Sequence, residues 1–153
     1  MPFIEVRERL DLLDSGAECL VNPVNCVGVA GAGLALQFRD RWPVQVNEYS
    51  DFCRQGRMAP GILHDALLPD GRRILSIPTK RHWRDRSTLE DVTLGLIALH
   101  GYCTETLPAS VALPALGCGL GGLAREDVAA LVKRYLRGLP VEFHLYGLTI
   151  EED

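Results

Sequence analysis

The sequence lacks a long apolar run and a paired cysteine motif, and each absence excludes a class of protein. No stretch approaches the roughly 18 consecutive apolar residues of a membrane span, and the first residues lack the apolar core of a signal peptide. The five cysteines are odd in number and never form a Cys-x-x-Cys pair, so neither a disulfide framework nor a zinc site is indicated. We therefore expect a cytoplasmic protein that does not enter a membrane and does not bind a metal.

The chain also lacks an excess of positive charge. A formal net charge of -4 argues against a protein held on nucleic acid by bulk electrostatics, because such binding needs a basic face. A local basic segment does exist at residues 80–86, with the sequence KRHWRDR. By composition alone, this segment could be either a solvated loop or a contact with nucleic acid. The length of 153 residues, 47% of them hydrophobic, fits a single domain over residues 1–153 with its own core.

Strand-like and helix-like segments alternate along the chain. Apolar or β-rich runs predict strands at residues 19–25, 62–68, 73–78, 110–116 and 141–147. A turn signal at residues 69–71, Pro-Asp-Gly, joins the second and third strands into a hairpin. Helical patterns occupy residues 33–41, 44–55, 88–106 and 124–138. This alternation predicts a mixed sheet covered on both faces, which is a three-layer α/β/α sandwich.

Two glycine-rich loops each run from a predicted strand toward a predicted helix. The first is residues 28–33, GVAGAG, and the second is residues 117–122, GCGLGG. Glycine lets backbone amides approach a ligand closely, and free amides at a helix start attract anions. Either loop alone is more simply explained as a turn. Because ligands of open α/β sheets lie beyond the carboxyl ends of the strands, the pair predicts a clamp for a diphosphate.

A Rossmann dinucleotide site is the natural alternative for the first loop. Residues 31–33, Gly-Ala-Gly, resemble the start of its fingerprint. That fingerprint expects a strand and an acidic residue about 20 positions later. Residues 44–55 look helical instead and lead into Arg-Gln-Gly, so the Rossmann interpretation fails downstream.

Five segments of the sequence resemble macrodomains. They are residues 11–14 (DLLD), 21–28 (VNPVNCVG), 31–38 (GAGLALQF), 78–84 (PTKRHWR) and 113–123 (LPALGCGLGGL). They occur in family order, and they look most like the branch that contains the terminal ADP-ribose protein glycohydrolases and the DarG antitoxins. The resemblance implies an α/β/α fold and ADP-ribose as the ligand, with no metal and no other cofactor.

The resemblance also implies which residues bind ADP-ribose. Asp11 matches an aspartate that accepts a hydrogen bond from the adenine amino group, Asn25 matches an asparagine at the distal ribose, and Tyr146 could pack on adenine. Loop amides would hold the diphosphate. The remaining expected binding residues are Leu12, Gly31, Gly33, Leu34, Thr79, Gly117, Cys118, Gly119, Leu120, Gly121 and Gly122. Outside the family, Asp11 is more simply a turn cap, Asn25 a loop-closing residue and Tyr146 a core residue.

Lys80 matches the signature catalytic lysine of this branch, at the end of a predicted strand. An unperturbed lysine, with a pKa of about 10.4, is neutral less than about 0.1% of the time at pH 7. An amine nucleophile would therefore need a pKa lowered by desolvation or by Arg81 and Arg84, whereas a charged Lys80 would stabilise the leaving oxygen. Protein-directed relatives carry an acidic residue where this chain has Gly121. We therefore favour lysine-assisted attack by water over a covalent adduct.

The expected activity is hydrolysis of mono-ADP-ribose from an oxygen linkage. Glu or Asp esters on an ADP-ribosylated protein are favoured by the acidic charge balance. The alternative acceptor is ADP-ribosylated DNA, modified on thymidine, which Gly121 and the basic segment favour; His82 and Trp83 would then contact the acceptor, with Trp83 stacked on a base. Alternatively, Trp83 is buried at the edge of the domain. Two other functions also stay open, a non-catalytic ADP-ribose reader and a deacetylase of O-acetyl-ADP-ribose, and the sequence does not indicate the oligomeric state.

Overall fold

The computed structural model describes residues 2–6 and 11–151, which form a six-stranded sheet between two helical layers. The strands are β1 (Phe3–Val6), β2 (Cys19–Val24), β3 (His64–Leu67), β4 (Arg73–Pro78), β5 (Ser110–Pro114) and β6 (Glu142–Tyr146). The helices are α1 (Gly33–Arg41), α2 (Pro43–Arg54), α3 (Leu89–Thr106) and α4 (Arg125–Leu136), with a 3-10 turn at Leu12–Asp14. Within the described residues, no helix is both long and apolar enough to cross a membrane.

The strand order is β1-β6-β5-β2-β4-β3. All neighbours are parallel except β3 and β4, which are antiparallel and confirm the predicted hairpin. The carboxyl ends of β4, β2, β5 and β6 therefore lie side by side at one edge of the sheet. Sequence patterns do not predict β1, because four residues are too few to establish an alternation of apolar and polar side chains.

Two apolar clusters lie on opposite faces of the sheet. Leu20 and Val24 of β2 belong to one cluster, whereas Cys19 and Val21 belong to the other, as expected for alternating strand side chains. The first cluster contains α1 and α2 residues, namely Phe38, Val46, Tyr49 and Cys53. The second contains α3 and α4 residues, namely Val92, Leu96, Leu99, Cys103, Val128, Val132 and Leu136. The predicted three-layer α/β/α sandwich is confirmed.

The helix starts differ in how their backbone amides are satisfied. The Thr88 side chain caps α3 by accepting a hydrogen bond from the Asp91 amide at 3.1 Å. Helix α1 follows Ala32, which provides no side-chain cap, and its first turn contains no acidic residue. The first amides of α1 have no intrahelical acceptor, so they are available to a ligand.

Candidate active site between two glycine-rich loops

A cleft of about 530 Å³ opens at the carboxyl ends of β2, β4 and β5. The predicted residues that line it are Asn25, Gly31, Gly33, Leu34, Thr79, Lys80, Gly117, Cys118, Gly119, Leu120 and Gly121. The two glycine-rich loops meet across it, since a Cβ built on Gly33 would lie 3.9 Å from Cδ1 of Leu120. A cleft of this size suits a small-molecule ligand. The structure therefore brings both loops and Lys80 to one place.

Four predicted residues lie outside the lining of the cleft: Asp11, Leu12, Gly122 and Tyr146. The Asp11 carboxylate accepts a hydrogen bond from the Leu13 amide at 3.0 Å and lies 3.8 Å from the Arg41 guanidinium. It thus caps the 3-10 turn. This is the simpler of the two roles that the sequence allowed, and adenine recognition by Asp11 stays a prediction.

Leu12 and Tyr146 pack into the cluster on the α1 and α2 face of the sheet. Leu12 is buried, so only its backbone remains for a ligand. Tyr146 is half-buried and pairs in register with Pro114, which does line the cleft. Tyr146 is therefore one strand away from the cleft, and its contact with adenine also stays a prediction.

Asn25 organises the first glycine-rich loop. Its side-chain oxygen accepts hydrogen bonds from three successive amides, those of Val27, Gly28 and Val29, at 3.1, 3.1 and 3.4 Å. Its side-chain nitrogen donates to the Val29 carbonyl at 2.8 Å, and the Tyr49 hydroxyl donates to the Asn25 carbonyl at 2.8 Å. Burial raises the pKa of Tyr49, so this donor stays protonated. Among the described residues one Asn25 N–H has a partner, which leaves the other for the cleft.

The start of α1 forms an anion site on this side of the cleft. Gly33, Leu34 and Ala35 are its first residues, and all three line the cleft. Their amides have no intrahelical acceptor, and the helix dipole places partial positive charge at the same end. This arrangement suits a phosphate group.

The second glycine-rich loop uses two of its own backbone amides in internal hydrogen bonds. The Cys118 amide donates to the Ala115 carbonyl at 3.1 Å, and the Gly122 amide donates to the Gly119 carbonyl at 3.1 Å. Of the amides expected to hold the diphosphate on this side, those of residues 119–122, the Gly122 amide is therefore already satisfied within the loop. The amides of residues 119–121 remain for a ligand.

Gly117 and Gly121 pack directly against Ser87, a buried residue that lines the cleft. A Cβ on Gly117 would lie 2.9 Å from the Ser87 Cβ, and a Cβ on Gly121 would lie 2.7 Å from it and 2.6 Å from the Gly117 oxygen. Gly117 also has a φ of 74°, which favours glycine. An acidic side chain would therefore have no room at position 121. No sequence signal marks Ser87, because packing alone defines its role.

Lys80 follows β4 and lines the cleft. Its Nζ donates to the Trp83 carbonyl at 3.3 Å. The two arginines proposed as its neighbours contact other groups. The Arg81 guanidinium lies 3.7 Å from the buried Asp91 carboxylate, and that of Arg84 lies 4.6 Å from the centre of the Trp83 ring. The contacts of these arginines therefore give no support to their predicted effect on Lys80.

Trp83 stands at the mouth of the cleft rather than buried at the domain edge. It is 46% exposed. The Arg84 guanidinium packs on its ring, and the centre of the His82 ring lies 5.3 Å from the centre of the Trp83 ring. Leu120, which is 72% exposed, lines the same cleft. A group attached to a ligand in the cleft would emerge beside this basic and aromatic segment. Over residues 2–6 and 11–151, no three His, Cys, Asp or Glu side chains form a metal site.

Known proteins resemble this chain in sequence and structure. The family model for the Macro domain matches residues 21–132. A Mycobacterium tuberculosis DNA ADP-ribosyl glycohydrolase is 42% identical over 133 residues, which are 85% of this chain and 38% of that protein. The human ADP-ribose glycohydrolase OARD1 is 25% identical over 135 residues, 88% of this chain and 82% of that protein. The solved macrodomain of Thermus aquaticus DarG has a TM-score of 0.88 and 38% identity, covering 94% of this chain and 97% of that one.

The chain spans about two fifths of the length of the DNA ADP-ribosyl glycohydrolases that it matches. The similarity therefore concerns one part of those proteins. What the whole of such a protein acts on does not follow from the match alone.

Proposed function

Because the chain belongs to the macrodomain family, we propose that it binds ADP-ribose in this cleft and hydrolyses it from a modified macromolecule. The observation that carries the proposal is the meeting of two amide sets, at residues 33–35 and 119–121, in one cleft that Lys80 also lines. Backbone amides that line one cleft without an internal acceptor suit a diphosphate. Lys80 lines the same cleft, so its ammonium group is placed to act on a bond of the bound ligand.

The strand order supports one orientation of the ligand. Tyr146 ends β6, and Lys80 follows β4, three strands away across β5 and β2. Neighbouring strands lie about 4.8 Å apart, so the span is about 14 Å, which an extended ADP-ribose can cover. Adenine would then lie near Tyr146, the diphosphate between the two loops, and the distal ribose near Asn25 and Lys80.

Lys80 would act on the bond to the distal ribose as a cation. Cleavage at the anomeric carbon leaves negative charge on the departing group, which a fixed ammonium stabilises. Water then bonds to the anomeric carbon as the bond to the departing group breaks, and the proton that the water loses neutralises the departing anion. Because Gly121 has no room for a carboxylate, the second loop supplies no acid or base to resolve a lysine adduct.

The Lys80→Arg variant separates the two mechanisms. If Lys80 acts through its charge, arginine should retain more turnover than alanine, because it carries the same charge on a longer side chain. A neutral amine nucleophile predicts that Lys80→Arg and Lys80→Ala are equally inactive, since arginine does not lose its proton in proteins.

DNA is the acceptor that we place first. The chain is 42% identical to a DNA ADP-ribosyl glycohydrolase and 25% identical to OARD1. The basic segment at residues 80–86 borders the cleft with an exposed Trp83, as a contact with single-stranded nucleic acid requires. An ADP-ribosylated protein is the second candidate, which the net charge of -4 favours.

The test is release of labelled ADP-ribose from two substrates at equal concentration, a thymidine-modified oligonucleotide and a glutamate-modified protein. We expect release from the oligonucleotide to be at least about tenfold faster, a difference in transition-state binding of about 1.4 kcal/mol. The opposite ratio would assign the activity to protein. Binding of ADP-ribose without release from either substrate would identify a reader. Release should persist in EDTA, because the proposed chemistry uses no metal.

A further inference from the structure

Ser87 connects the two sides of the cleft that the chemistry uses. Its hydroxyl donates a hydrogen bond to the Thr79 hydroxyl at 3.2 Å, and both side chains are buried. Its backbone amide donates to the Gly121 carbonyl at 3.1 Å. Thr79 directly precedes Lys80, and Gly121 carries one of the amides left for the diphosphate. Ser87 thus joins the strand that presents Lys80 to the loop that holds the ligand.

We propose that Ser87 is a positioning residue that fixes Lys80 relative to the second glycine-rich loop. The proposal rests on the hydrolytic function proposed above. Lys80 bonds to the Trp83 carbonyl, which belongs to the same exposed segment and would move with it. The Ser87–Thr79 hydrogen bond instead joins the base of that segment to Ser87, whose own amide is bonded to the second loop. A displacement of about 1 Å in a reacting group can lower turnover by up to about 100-fold.

The packing around Ser87 allows its hydroxyl to be tested separately. Its Cβ lies in the space next to Gly117 and Gly121, so Ser87→Ala keeps that contact and the backbone bond and removes only the hydroxyl. We expect Ser87→Ala to lower kcat about tenfold while the Kd for ADP-ribose stays within about twofold. Thr79→Val removes the acceptor hydroxyl at nearly constant shape and should lower kcat similarly. Thr79→Ser, which restores a hydroxyl, should turn over several-fold faster than Thr79→Val.

Ser76→Ala is the matched control. Ser76 is also a buried serine, it lies on β4, and it does not line the cleft. Its kcat should stay within about twofold of the unmodified protein, because removal of a hydroxyl distant from the reacting groups affects folding rather than turnover.

A second measurement does not depend on turnover. The chain contains only two lysines, Lys80 and Lys133, so labelling with an amine reagent followed by peptide mass spectrometry reports Lys80 against an internal reference. We expect the ratio of labelling rates, Lys80 to Lys133, to rise at least about threefold in Ser87→Ala, because the half-buried Lys80 becomes more mobile. Ser76→Ala should leave the ratio unchanged.

The two measurements separate this proposal from the function beneath it. If the unmodified protein releases no ADP-ribose, the proposed hydrolytic function is wrong. The labelling ratio would still decide whether Ser87 positions Lys80. An unchanged labelling ratio in Ser87→Ala overturns the positioning role. So does a parallel loss of kcat and ADP-ribose affinity, because Ser87 would then only support the binding loop.

Discussion

The two glycine-rich loops look alike in sequence but are held in shape by different means. The first is organised by one polar side chain, that of Asn25, which accepts hydrogen bonds from three backbone amides. The Tyr49 hydroxyl in turn donates a hydrogen bond to the Asn25 carbonyl. The second is held by backbone bonds and by the close packing of Gly117 and Gly121 against Ser87. Loss of a hydrogen-bond acceptor should therefore destabilise the first loop, whereas addition of a methyl group should destabilise the second.

The largest effect is expected from Asn25→Ala in the first loop. The change leaves three partly buried amides without their acceptor, which should lower the free energy of unfolding by about 3 kcal/mol. Urea unfolding measures this value. Asn47→Ala, at an exposed position of α2, is the control and should change it by less than about 0.5 kcal/mol. Equal values for the two variants would show that Asn25 does not organise the loop.

The next effect is expected from Gly121→Ala in the second loop. Its Cβ would overlap Ser87 and the Gly117 carbonyl, which should lower the free energy of unfolding by about 2 kcal/mol. The ligand-facing amides should also be displaced and ADP-ribose bound at least about tenfold more weakly, by calorimetry. Gly119→Ala is the matched control, since its Cβ meets no atom of the described residues within 4 Å. If Gly119→Ala unfolds as easily, packing against Ser87 is not what the loop depends on.

A smaller effect is expected from Tyr49→Phe, beneath the first loop. The variant removes the Tyr49 hydroxyl, whose acceptors are the Asn25 carbonyl at 2.8 Å and the Asn25 side-chain oxygen at 3.1 Å, and should lower the free energy of unfolding by about 1 kcal/mol. Tyr135→Phe serves as control, because its hydroxyl has no hydrogen bond among the described residues. A loss as large as that of Asn25→Ala would move the organising role from Asn25 to Tyr49.

The smallest effect concerns two cysteines, Cys118 in the second loop and Cys26, which lies two residues before the first loop. Burial raises the pKa of both thiols, that of Cys26 to about 11, so alkylation should be slow at pH 7 and rise about tenfold per pH unit below the pKa. Cys118 lines the cleft and Cys26 does not. ADP-ribose should therefore slow alkylation of Cys118 and leave Cys26 unaffected at pH 9. Protection of Cys26 instead would place the ligand elsewhere.

Much of the scaffold could be predicted from sequence, because local patterns determine it. Every predicted strand and helix ends within two residues of the observed one, since apolar runs and turn signals act over short distances. That both loops and Lys80 lie at one edge was expected because ligands of open α/β sheets lie beyond the carboxyl ends of the strands, whereas the strand order itself was not predicted. The expected chemistry of Lys80 came from the family resemblance.

The remaining features depend on contacts between distant segments. Ser87 became a site residue only because folding places it between residues 79 and 121. The internal use of the Cys118 and Gly122 amides depends on the exact path of the loop. The capping role of Asp11 competes with adenine recognition for the same carboxylate, and sequence alone could not decide between them.

The central claim is that Lys80 acts on the reaction rather than on binding. It is tested most directly by measuring turnover and ADP-ribose affinity on Lys80→Ala, with Lys133→Ala, the only other lysine, as control. We expect turnover to fall at least about 100-fold and affinity to stay within a few-fold, because a group used mainly in the transition state affects turnover alone. Unchanged turnover would contradict the claim, and an equal loss of turnover and affinity would reduce Lys80 to a ligand contact.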